Sequence, residues 1–558
     1  MRLSVRWLED VDVLIVGGGL AGLRAAYEAR QSVDRVRVVT KGVAGRSGAS
    51  AVASGGFAAV MPACESSDSV EAHVRDTVLG GHGINDRRLV GAMCEEAGAR
   101  LEDLVKLGAR FEIRDGRLEV RRSSDHTAAR SAIALGYRGT ELTVPLRAKA
   151  ADVGVEFLDH LMVIDILVQN GSVAGVLALD PKGDELLVLP ARAVILATGG
   201  AGQLYAVTSN PGDLTGDGYA LALRAGAILV DMEFYQFLPW RVIAPIGGGR
   251  KTVQMYTFAA GARLVNALGE AFMRRYDPVH GDATTRDVAA RAVYSEIRGN
   301  RGVHGGVRVD LSGVAHEEFA RLNPALARLV ARHGLALEDR PLIVAPEAHF
   351  CMGGVKIEPD GSTSVPRLWA AGEVAGGTHG ANRLGDNALP ETQVFGARAG
   401  MAAAEAVKSG GSVSVDRAQI GQRVSQLEAR WGGEPKRALP VGGIRQRLRH
   451  SMWIGAGIVR TAKELEGTLR SLDTYEAELA EMTAATAVEL NDLLEAENLC
   501  LVGRVLCHAA LARHESRGAH ARSDFPSQDD RKWRRRVAIS ANPARRLRVE
   551  LLSLPDAE

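Results

Sequence analysis

The sequence of 558 residues is 46% hydrophobic and 24% charged, and its formal net charge is +1. At about 150 residues per domain, this length predicts three or four structural units with ample material for a core. The near-zero charge excludes a general attraction to nucleic acid or to an anionic membrane. No apolar run reaches the roughly 20 residues that a membrane-crossing helix needs, and Leu8-Glu9-Asp10 interrupts any signal-peptide core. We therefore expect a cytoplasmic protein without a membrane span of its own.

The first predicted unit is a strand, a glycine turn and a helix. Val13 to Val16 is apolar, Gly17-Gly18-Gly19-Leu20-Ala21-Gly22 follows, and the segment from Leu20 to Arg30 is rich in Ala and Leu without proline. In such a unit the first glycine permits a tight turn, the second admits a pyrophosphate, and the third lets the helix pack on the strand. The context predicts a dinucleotide site at the helix N-terminus.

The second strand, Val36 to Thr40, ends in Lys41. NAD-binding folds usually carry an acid at this strand end to hold the ribose, so Lys41 counts against NAD and leaves NADP open. Small residues dominate the next segment, Gly42 to Met61, which suits backbone packed against a flat ligand, although a flexible Gly/Ser loop is the alternative. Ala92 to Leu107 has the apolar spacing of an amphipathic helix.

Short strands with turn signals are expected from Val155 to Pro190. They precede the apolar strand Ala193 to Thr198, whose following glycine pair, Gly199-Gly200, predicts a second close approach of backbone to the ligand. Thr215-Gly216-Asp217-Gly218 then opens a helix from Tyr219 to Ala225, and Asp217 either caps this helix or accepts from a ligand hydroxyl.

The remaining pattern divides the chain into domains. The segment from Asp231 to about Pro346 is less periodic and contains a Gly247-Gly248-Gly249 turn. After it, Leu368 to Glu373 returns to the strand-glycine pattern, and an Ala-rich helix follows from Gly396 to Val407. We therefore interpret the segment as an insertion into the nucleotide domain. The Gly/Ser-rich segment from Ser409 to Ser414 indicates a linker. The region from Gln419 to Ala512 is predicted to be helical, and Leu472 to Leu499 within it is nearly free of breakers. The segment from Arg531 to Arg548 is a basic tail, which is either a solvated surface or a docking segment for a partner or an acidic surface. The expected units are residues 1–230 and 348–408 (nucleotide domain), 231–347 (insertion), 413–530 (helices) and 531–558 (tail).

Together with further motifs, these segments resemble the flavoprotein subunits of succinate dehydrogenase and fumarate reductase, a family that also includes L-aspartate oxidase. The motifs that carry the resemblance are Gly17 to Gly22, Ser54-Gly55-Gly56, Ala197-Thr198-Gly199-Gly200, Thr215-Gly216-Asp217-Gly218, Thr285-Arg286-Asp287, His349-Phe350-Cys351-Met352-Gly353-Gly354, Ala371-Gly372-Glu373, His379 to Leu389, Glu515 to Arg522 and Asp529-Asp530. The resemblance covers nearly the whole chain.

The resemblance implies FAD as the cofactor and an α/β fold: a discontinuous Rossmann-like FAD-binding domain, an inserted α+β capping domain and a C-terminal helical domain. Lys41 is compatible with FAD, since the family places a basic or neutral residue there. The cofactor-binding positions implied are Gly17, Gly18, Gly19, Ala21, Gly22, Lys41, Gly55, Gly56, Ala197, Thr198, Gly199, Asp217, Glu373, Arg383, Ala388 and Leu389.

The resemblance also implies three catalytic residues. Arg286 matches the arginine assigned to proton transfer, and His349 and Arg383 match residues that grip a substrate carboxylate. The competing interpretations are a surface ion pair for Arg286 and a buried structural role for His349. Because arginine is a poor acid, proton transfer through Arg286 requires a desolvated site and a relay.

Two departures from the family pattern concern the substrate pocket. The chain has Gln236-Phe237-Leu238-Pro239-Trp240 where the family has Gln-Phe-His-Pro-Thr, and we align Thr257-Phe258 with the family's Thr-Glu. A pocket with Leu238, Trp240 and Phe258 lacks partners for a second carboxylate, whose unpaired burial costs several kcal/mol. We therefore expect weak or no turnover of succinate and fumarate, and a substrate with one carboxylate and an apolar or aromatic remainder.

The sequence also bears on cofactor attachment and partners. The position of the covalent flavin histidine falls at Gly48 or Ala49, and no histidine lies between Val33 and Ala72, so we expect non-covalent FAD. The five cysteines form no CxxC motif and no haem motif is present, so no metal site is indicated, and electrons must pass to or from a quinone, oxygen, a diffusible molecule, or an iron–sulfur or other electron-transfer subunit. Membrane association is expected only through such a partner. The alternatives are an ordinary fumarate reductase, succinate dehydrogenase or L-aspartate oxidase, and an electron-transfer flavin subunit with a degenerate substrate site.

Overall fold

A computed structural model describes residues 3–61, 68–123, 125–245, 251–336, 341–410, 414–432, 441–542 and 546–555. Cys64, the predicted Gly247-Gly248-Gly249 turn and positions 411–413 of the predicted linker lie outside these ranges. No helix within them is long and apolar enough to cross a membrane.

The described residues form helices and strands in alternation along most of the chain. The helices are α1 (Leu20–Arg30), α2 (Gly48–Val52), α3 (Val70–Gly80), α4 (Arg87–Lys106), α5 (Thr140–Asp152), α6 (Asp217–Arg224), α7 (Met255–Ala259), α8 (Arg286–Arg298), α9 (His316–Leu322), α10 (Pro324–Arg332), α11 (Ala388–Lys408), α12 (Arg417–Glu428), α13 (Val441–Gly455), α14 (Ala462–Ala480), α15 (Ala487–Ala512) and α16 (Asp530–Trp533). The strands are β1 (Ser4–Trp7), β2 (Val11–Val16), β3 (Val36–Thr40), β4 (Gly56–Ala58), β5 (Ile113–Arg114), β6 (Arg117–Leu118), β7 (Val120–Arg121), β8 (Ser131–Ile133), β9 (Glu156–Asp159), β10 (Met162–Gln169), β11 (Ser172–Asp180), β12 (Glu185–Leu196), β13 (Leu229–Val230), β14 (Tyr235–Ala244), β15 (Arg263–Val265), β16 (Val307–Asp310), β17 (Ile343–Cys351), β18 (Gly354–Lys356), β19 (Leu368–Ala370), β20 (Ala375–Gly376), β21 (Val459–Arg460), β22 (Ala521–Arg522), β23 (Arg535–Ala541) and β24 (Leu547–Ser553).

The central sheet has eight strands, six of them in the order β10-β11-β12-β2-β3-β9. The two halves of the long strand β12 pair with different strands. The first half pairs with β11 and β1, and the second half pairs in parallel with β2 and β19. Every residue of β2 is buried, which explains the apolar run from Val13 to Val16. The predicted β2-α1-β3 unit is confirmed. The strand predicted to begin at Ala193 is instead the second half of β12, which starts at Glu185.

Helix α11 packs against α1 on one face of this sheet. A Cβ atom at Gly396 would lie 2.6 Å from the carbonyl oxygen of Ala21, and one at Gly400 would lie 2.4 Å from that of Ala25, so the glycines let the two helices approach closely. The helix begins at Ala388 rather than at the predicted Gly396. Pro390 does not stop it, because proline is tolerated in the first turn, where no intrahelical N–H bond is lost.

The insertion forms an antiparallel sheet of its own, in the order β14-β17-β16-β15, covered by the helices α7 to α10. Its core is a separate cluster of buried side chains that includes Trp240, Phe258, Phe272 and Val293. This α+β layer forms a cap over the carboxyl ends of β2 and β12.

The C-terminal region is helical, as predicted, but the stretch from Leu472 to Leu499, nearly free of breakers, contains a boundary between two helices. Helix α14 ends at Ala480, and α15 begins at Ala487. The Thr486 side chain accepts a hydrogen bond from the backbone N–H of Glu489, at 3.2 Å, and this Thr-x-x-Glu spacing is the capping signature that marks a new helix.

The predicted basic tail contains two paired β-strands, of which β23 is largely buried and β24 is largely exposed. Strand β23 pairs with β13 and β24, which extends a five-stranded sheet in the order β20-β18-β13-β23-β24. The guanidinium of Arg536 is buried and lies 2.8 Å from the Asp231 carboxylate, so its charge is paired inside the fold.

Candidate active site

A cavity of about 500 Å³ runs between the central sheet and the cap. At one end it is lined by the turn from Gly17 to Gly19, which follows β2. At the other end it is lined by Arg286, His349 and Arg383, the three predicted catalytic residues. The fold thus brings together residues that are more than 350 positions apart in the sequence.

The glycine turn has the geometry that the sequence predicted. Gly17 has φ +115°, and a Cβ atom there would lie 2.2 Å from the carbonyl oxygen of Ala197; a Cβ atom at Gly22 would lie 2.0 Å from the carbonyl oxygen of Gly17. Helix α1 starts after Gly19, which has no side chain to cap it; the N–H of Leu20 donates to Ser50 Oγ at 3.2 Å, and the helix N-terminus faces the cavity as an anion site does. Gly22 itself does not line the cavity; it lets α1 pack on the turn.

The other predicted cofactor positions converge on the same cavity. Those that line it are Gly17, Gly18, Gly19, Ala21, Lys41, Gly55, Gly56, Ala197, Thr198, Gly199, Asp217, Glu373, Arg383, Ala388 and Leu389. The segment from Ser47 to Gly56, which contains α2, also lines it. The hydroxyl oxygen of Thr198 is buried without a partner, and backbone from three separate glycine segments leaves no side chain in the way. These residues fit an extended dinucleotide such as FAD.

Glu373 is a buried carboxyl group in this wall. One of its oxygens accepts a hydrogen bond from the backbone N–H of Cys351, at 3.1 Å. Burial raises the pKa of Glu373 to about 7, despite that hydrogen bond and the positive charge of Arg383. Near neutral pH this group can therefore either donate or accept a hydrogen bond.

Lys41 lines the cavity, but its ammonium group is already hydrogen-bonded to three side chains of the protein. Its Nζ donates to Thr215 at 2.6 Å, to Asp217 at 2.7 Å and to Glu495 at 2.7 Å. Burial opposes the charge, but the two carboxylates raise the pKa of Lys41, and Lys41 in turn keeps the pKa of Asp217 low. Asp217 does not cap α6, since its second oxygen accepts from Asn498 at 2.8 Å. This cluster ties the cofactor wall to helix α15.

Arg286 and Arg383 form the charged end of the cavity. Arg286 is the first residue of α8, and Arg383 lies in the loop between β20 and α11; both guanidinium groups donate to Gln236 Oε1, at 3.3 Å and 2.9 Å. Both side chains are buried, and no carboxylate of the described residues lies within 4.0 Å of either. Burial, together with the neighbouring Arg286, lowers the pKa of Arg383 to about 9. Arg286 is therefore not in a surface ion pair.

Gln236 holds the two arginines in place, a role that the sequence interpretation missed. Its Nε2 donates to Asn382 Oδ1 and to the carbonyl oxygen of Arg383, both at 2.8 Å, which orients Oε1 toward the guanidinium groups. The signal was present, because Gln236 keeps the family residue in the very motif whose histidine is replaced by Leu238.

His349 lies on β17 at the same end of the cavity. Its Nδ1 is 2.8 Å from the hydroxyl oxygen of Ser209. Burial, followed by the charges of Arg383 and Arg286, keeps the pKa of His349 well below its ordinary value. The imidazole is therefore neutral at pH 7 and contributes a hydrogen-bonding group rather than a third cation.

The predicted apolar pocket is only partly as expected. Leu238 and Trp240 line the cavity, but Phe258 does not. It lies behind Trp240, with the two rings stacked at 4.7 Å between centroids, and belongs to the cap core. The α7 residues at the cavity are Met255 and Tyr256, and the Met255 sulfur lies 3.3 Å from Arg286 Nη2. Met255 rather than Phe258 is thus the α7 residue next to Arg286, and the prediction that Phe258 lines the substrate pocket is wrong.

Comparisons with known proteins agree with this geometry. A family model described as an FAD binding domain matches residues 12–389, and one described as the fumarate reductase flavoprotein C-terminal region matches residues 445–554. The chain is 37% identical over 540 residues to one of the subunits of the CoM/CoB fumarate reductase of Methanothermobacter marburgensis, covering 96% of this chain and 97% of that protein. It is 34% identical over 562 residues to L-aspartate oxidase of Streptomyces coelicolor, covering 99% and 95% of the two chains.

The likeness extends to three-dimensional structure. The FrdA chain of Escherichia coli quinol fumarate reductase superposes with a TM-score of 0.89 at 30% identity, covering 100% of this chain and 99% of that one. The architecture is accordingly an FAD-binding domain with a cap and a C-terminal helical domain, and the cofactor is FAD. The chain belongs to the family of FAD-dependent oxidoreductases that comprises the flavoproteins of fumarate reductase and succinate dehydrogenase.

Proposed function

We propose that this FAD-dependent oxidoreductase transfers a hydride between the flavin and a carbon–carbon bond next to the single carboxylate of a substrate whose remainder is apolar or aromatic. The observation that carries the proposal is the pair of buried arginines, Arg286 and Arg383, which face the cavity and have no carboxylate within 4.0 Å among the described residues. The bound flavin supplies the hydride acceptor or donor.

The two guanidinium groups fit one substrate carboxylate. Buried cations are costly unless an anion pairs with them, and arginine binds carboxylates through two parallel hydrogen bonds. Gln236 Oε1 gives each guanidinium one neutral acceptor, while Arg286 Nε and Arg383 Nε are buried without any acceptor. A substrate carboxylate between them would supply the missing negative charge and polarise the adjacent carbon–carbon bond.

One part of the remaining wall, formed by Leu238, Trp240 and Met255, disfavours a second carboxylate, whereas Lys251, Thr252 and Tyr256 bring polar groups to the cavity elsewhere. Leu238 and Trp240 bring apolar surface to the cavity, and Met255 offers only a thioether sulfur, a weak hydrogen-bond acceptor. A second buried carboxylate would have no donor among these three side chains except the indole N–H. Next to these three side chains, an aromatic or aliphatic group of the substrate is therefore favoured over the second carboxylate of succinate or fumarate.

Proton transfer is assigned to Arg286, as the family resemblance implies. Its Nη2 contacts only the Met255 sulfur, so no carboxylate is placed to recharge it directly. Tyr256 also lines the cavity, and its hydroxyl donates to Asp386 Oδ2 at 2.5 Å. Asp386 also lines the cavity, and its charge acts on Arg383.

We further propose that FAD is held without a covalent bond. Gly48 and Ala49 line the cavity at the position implied for covalent attachment, and neither has a side chain that can bond to the flavin. Precipitating the holoprotein with acid should leave the yellow colour in the supernatant. Colour that stays in the pellet would contradict non-covalent binding.

An electron-transfer partner is part of the proposal. The described residues contain no group of three or more His, Cys, Asp or Glu side chains placed to hold a metal ion. The flavin therefore exchanges electrons with something other than an internal metal centre in these residues, such as a quinone, a diffusible reductant or an iron–sulfur subunit.

The decisive experiment is an anaerobic survey with the purified holoprotein. Oxidised enzyme is mixed with 3-phenylpropanoate, succinate or L-aspartate, and dithionite-reduced enzyme with cinnamate or fumarate, while flavin absorbance is followed. We expect the aromatic monocarboxylate of either set to react at least ten times faster than the dicarboxylates. Faster reaction of succinate and fumarate, or of L-aspartate, would identify the corresponding family activity instead, and no reaction with any acid would indicate a degenerate electron-transfer subunit.

A further inference from the structure

An open groove of about 710 Å³ lies next to the active-site cavity, on the other side of Tyr256. We call it the arginine groove. Five arginines line it, and they come from β5, β6, β7 and α9 and from the residue after β7: Arg114, Arg117, Arg121, Arg122 and Arg321. Three acids line it as well: Asp115, Glu119 and Glu318. The groove plays no part in the function proposed above.

The charges of the arginine groove are only partly paired. Arg321 lies 2.7 Å from Glu119 and 2.6 Å from Glu318, and Arg121 lies 3.1 Å from Glu119. The two glutamates are thereby occupied. Arg114, Arg117 and Arg122 have no carboxylate within 4.0 Å among the residues that the structure describes. With Asp115 as the only other acid, the lining keeps two uncompensated positive charges.

A hairpin places two of the unpaired arginines opposite each other. Arg114 and Arg117 are cross-strand partners of β5 and β6, joined by the turn residues Asp115 (φ 51°) and Gly116 (φ 76°). Positive φ at both central residues is the tight hairpin turn that brings the flanking side chains closest. Like charges directly opposite on paired strands repel, so this arrangement is unfavourable unless an anion joins them.

Arg121 supplies a second, independent indication. Its side chain is more than nine-tenths buried, it lines the groove, and its Nη1 has no hydrogen-bond partner. Its other contacts are Glu119, through Nε at 3.1 Å, and the ring of Tyr137. A buried guanidinium nitrogen without an acceptor is costly, and a ligand oxygen would satisfy it.

We propose that the arginine groove binds the anionic oxygens of a small molecule, a phosphate or a carboxylate group, beside the substrate cavity. The exposed pair of Arg114 and Arg117 offers two adjacent donors to an oxyanion, and the buried Nη1 of Arg121 lacks an acceptor. Planar guanidinium groups recognise both phosphates and carboxylates through paired hydrogen bonds, so the two chemistries share this site. Tyr256 forms the wall between this ligand and the substrate.

The test is isothermal titration calorimetry of the FAD-loaded protein with inorganic pyrophosphate and, separately, with citrate. The double variant Arg114→Gln/Arg117→Gln should bind the preferred anion at least ten times more weakly. Glu318→Gln releases Arg321 from its bidentate pair and should bind it several times more tightly. The control Arg87→Gln/Arg332→Gln removes two exposed charges elsewhere and should bind as the wild type does. Affinity should fall as NaCl rises from about 20 to about 200 mM.

Each outcome decides the proposal. Stronger binding of pyrophosphate assigns the site to phosphate, and stronger binding of citrate assigns it to carboxylate. The proposal would be overturned if the wild type bound neither anion. It would also be overturned if Arg114→Gln/Arg117→Gln bound the anion as tightly as the wild type, because the anion would then bind at Arg286 and Arg383 in the active-site cavity. The readout is independent of turnover, so failure here would leave the proposed oxidoreductase function untouched.

Discussion

Replacing Arg383 with glutamine should abolish carboxylate binding without destabilising the folded protein. Most buried arginines behave in the opposite way, because they are paired with a carboxylate that is left uncompensated when the arginine is removed. Arg383 has no such partner among the described residues, and its positive charge faces that of Arg286.

The magnitude follows from the pKa of Arg383. Burial lowers it from 12.5 to about 9. At about 1.4 kcal/mol per pKa unit, the charge at pH 7 costs the folded state up to about 5 kcal/mol. This cost is present below pH 9 and declines as the pH rises above that value. Removing the side chain removes the cost but also loses hydrogen bonds to Gln236 and to the carbonyl oxygen of Leu384, each of about 1.5 to 3 kcal/mol. The two contributions are of similar size, so stability should change little.

The chain offers a matched control in Arg536, which is equally buried but lies 2.8 Å from the Asp231 carboxylate. Arg536→Gln should cost about 3 to 5 kcal/mol of folding free energy. Thermal denaturation should therefore show a fall of several degrees for Arg536→Gln and almost none for Arg383→Gln. Benzoate is an aromatic monocarboxylate that has no bond to oxidise, and its binding can be followed by flavin absorbance. Two lost charge-assisted hydrogen bonds predict at least about 100-fold weaker benzoate binding for Arg383→Gln and no change for Arg536→Gln.

Two results would refute this reasoning. If Arg383→Gln lowered the melting temperature as much as Arg536→Gln and still bound benzoate normally, Arg383 would be a structural residue. If the wild type bound no benzoate at all, the monocarboxylate site itself would be wrong.

Three further predictions concern other parts of the cavity. Leu238→His should raise kcat/KM for fumarate at least tenfold, because the imidazole restores a donor for a second carboxylate, whereas Leu238→Phe should not; equal values for both would exclude Leu238 as a determinant of specificity. Lys41→Met leaves Asp217 and Glu495 uncompensated and should cost about 3 to 5 kcal/mol in thermal or urea denaturation, against less than about 1 kcal/mol for the exposed Lys149→Met; similar losses would contradict the interdomain role. The pKa of Glu373 is about 7 in the folded protein, above its ordinary value of 4.5. Ionising this group therefore lowers the free energy of unfolding increasingly from pH 4.5 to 7 and by a constant amount above pH 7. Glu373→Gln should accordingly stabilise the FAD-free protein by up to about 3 kcal/mol at pH 8 and by much less at pH 5. A gain of the same size at both pH values would rule out this titration.

The cofactor end of the site could be predicted from the sequence because its chemistry is local. A strand, a glycine turn and a helix follow one another within about 20 residues, and the glycines are needed wherever backbone approaches backbone, as at Gly17 and Gly22. Arg286, His349 and Arg383 were found through their motifs. Their convergence on one cavity follows from the sheet order, which short-range pattern alone does not contain.

The substrate end was harder to predict because it depends on register within the cap. Phe258 and Met255 are three residues apart, and only the packing of α7 against β14 decides that Met255 contacts Arg286 while Phe258 stacks on Trp240. The break between α14 and α15 was missed for a different reason. The residues there have ordinary helix propensity, and the Thr486 cap alone marks the boundary.

The pairing of β2 has a consequence for synthesis on the ribosome. Its parallel neighbour β12 begins at Glu185, β12 is completed by β19 at Leu368, and β13 needs β23 near Arg535. At about 5 to 20 residues per second, the buried strand β2 is without its neighbour β12 for roughly 9 to 35 s. During that time the nascent chain exposes an unpaired hydrophobic edge that chaperones must shield. Stable capture of the flavin must come later still, because Arg383 emerges about 190 residues after β12, and the strand that pairs with β13 emerges near the end of the chain.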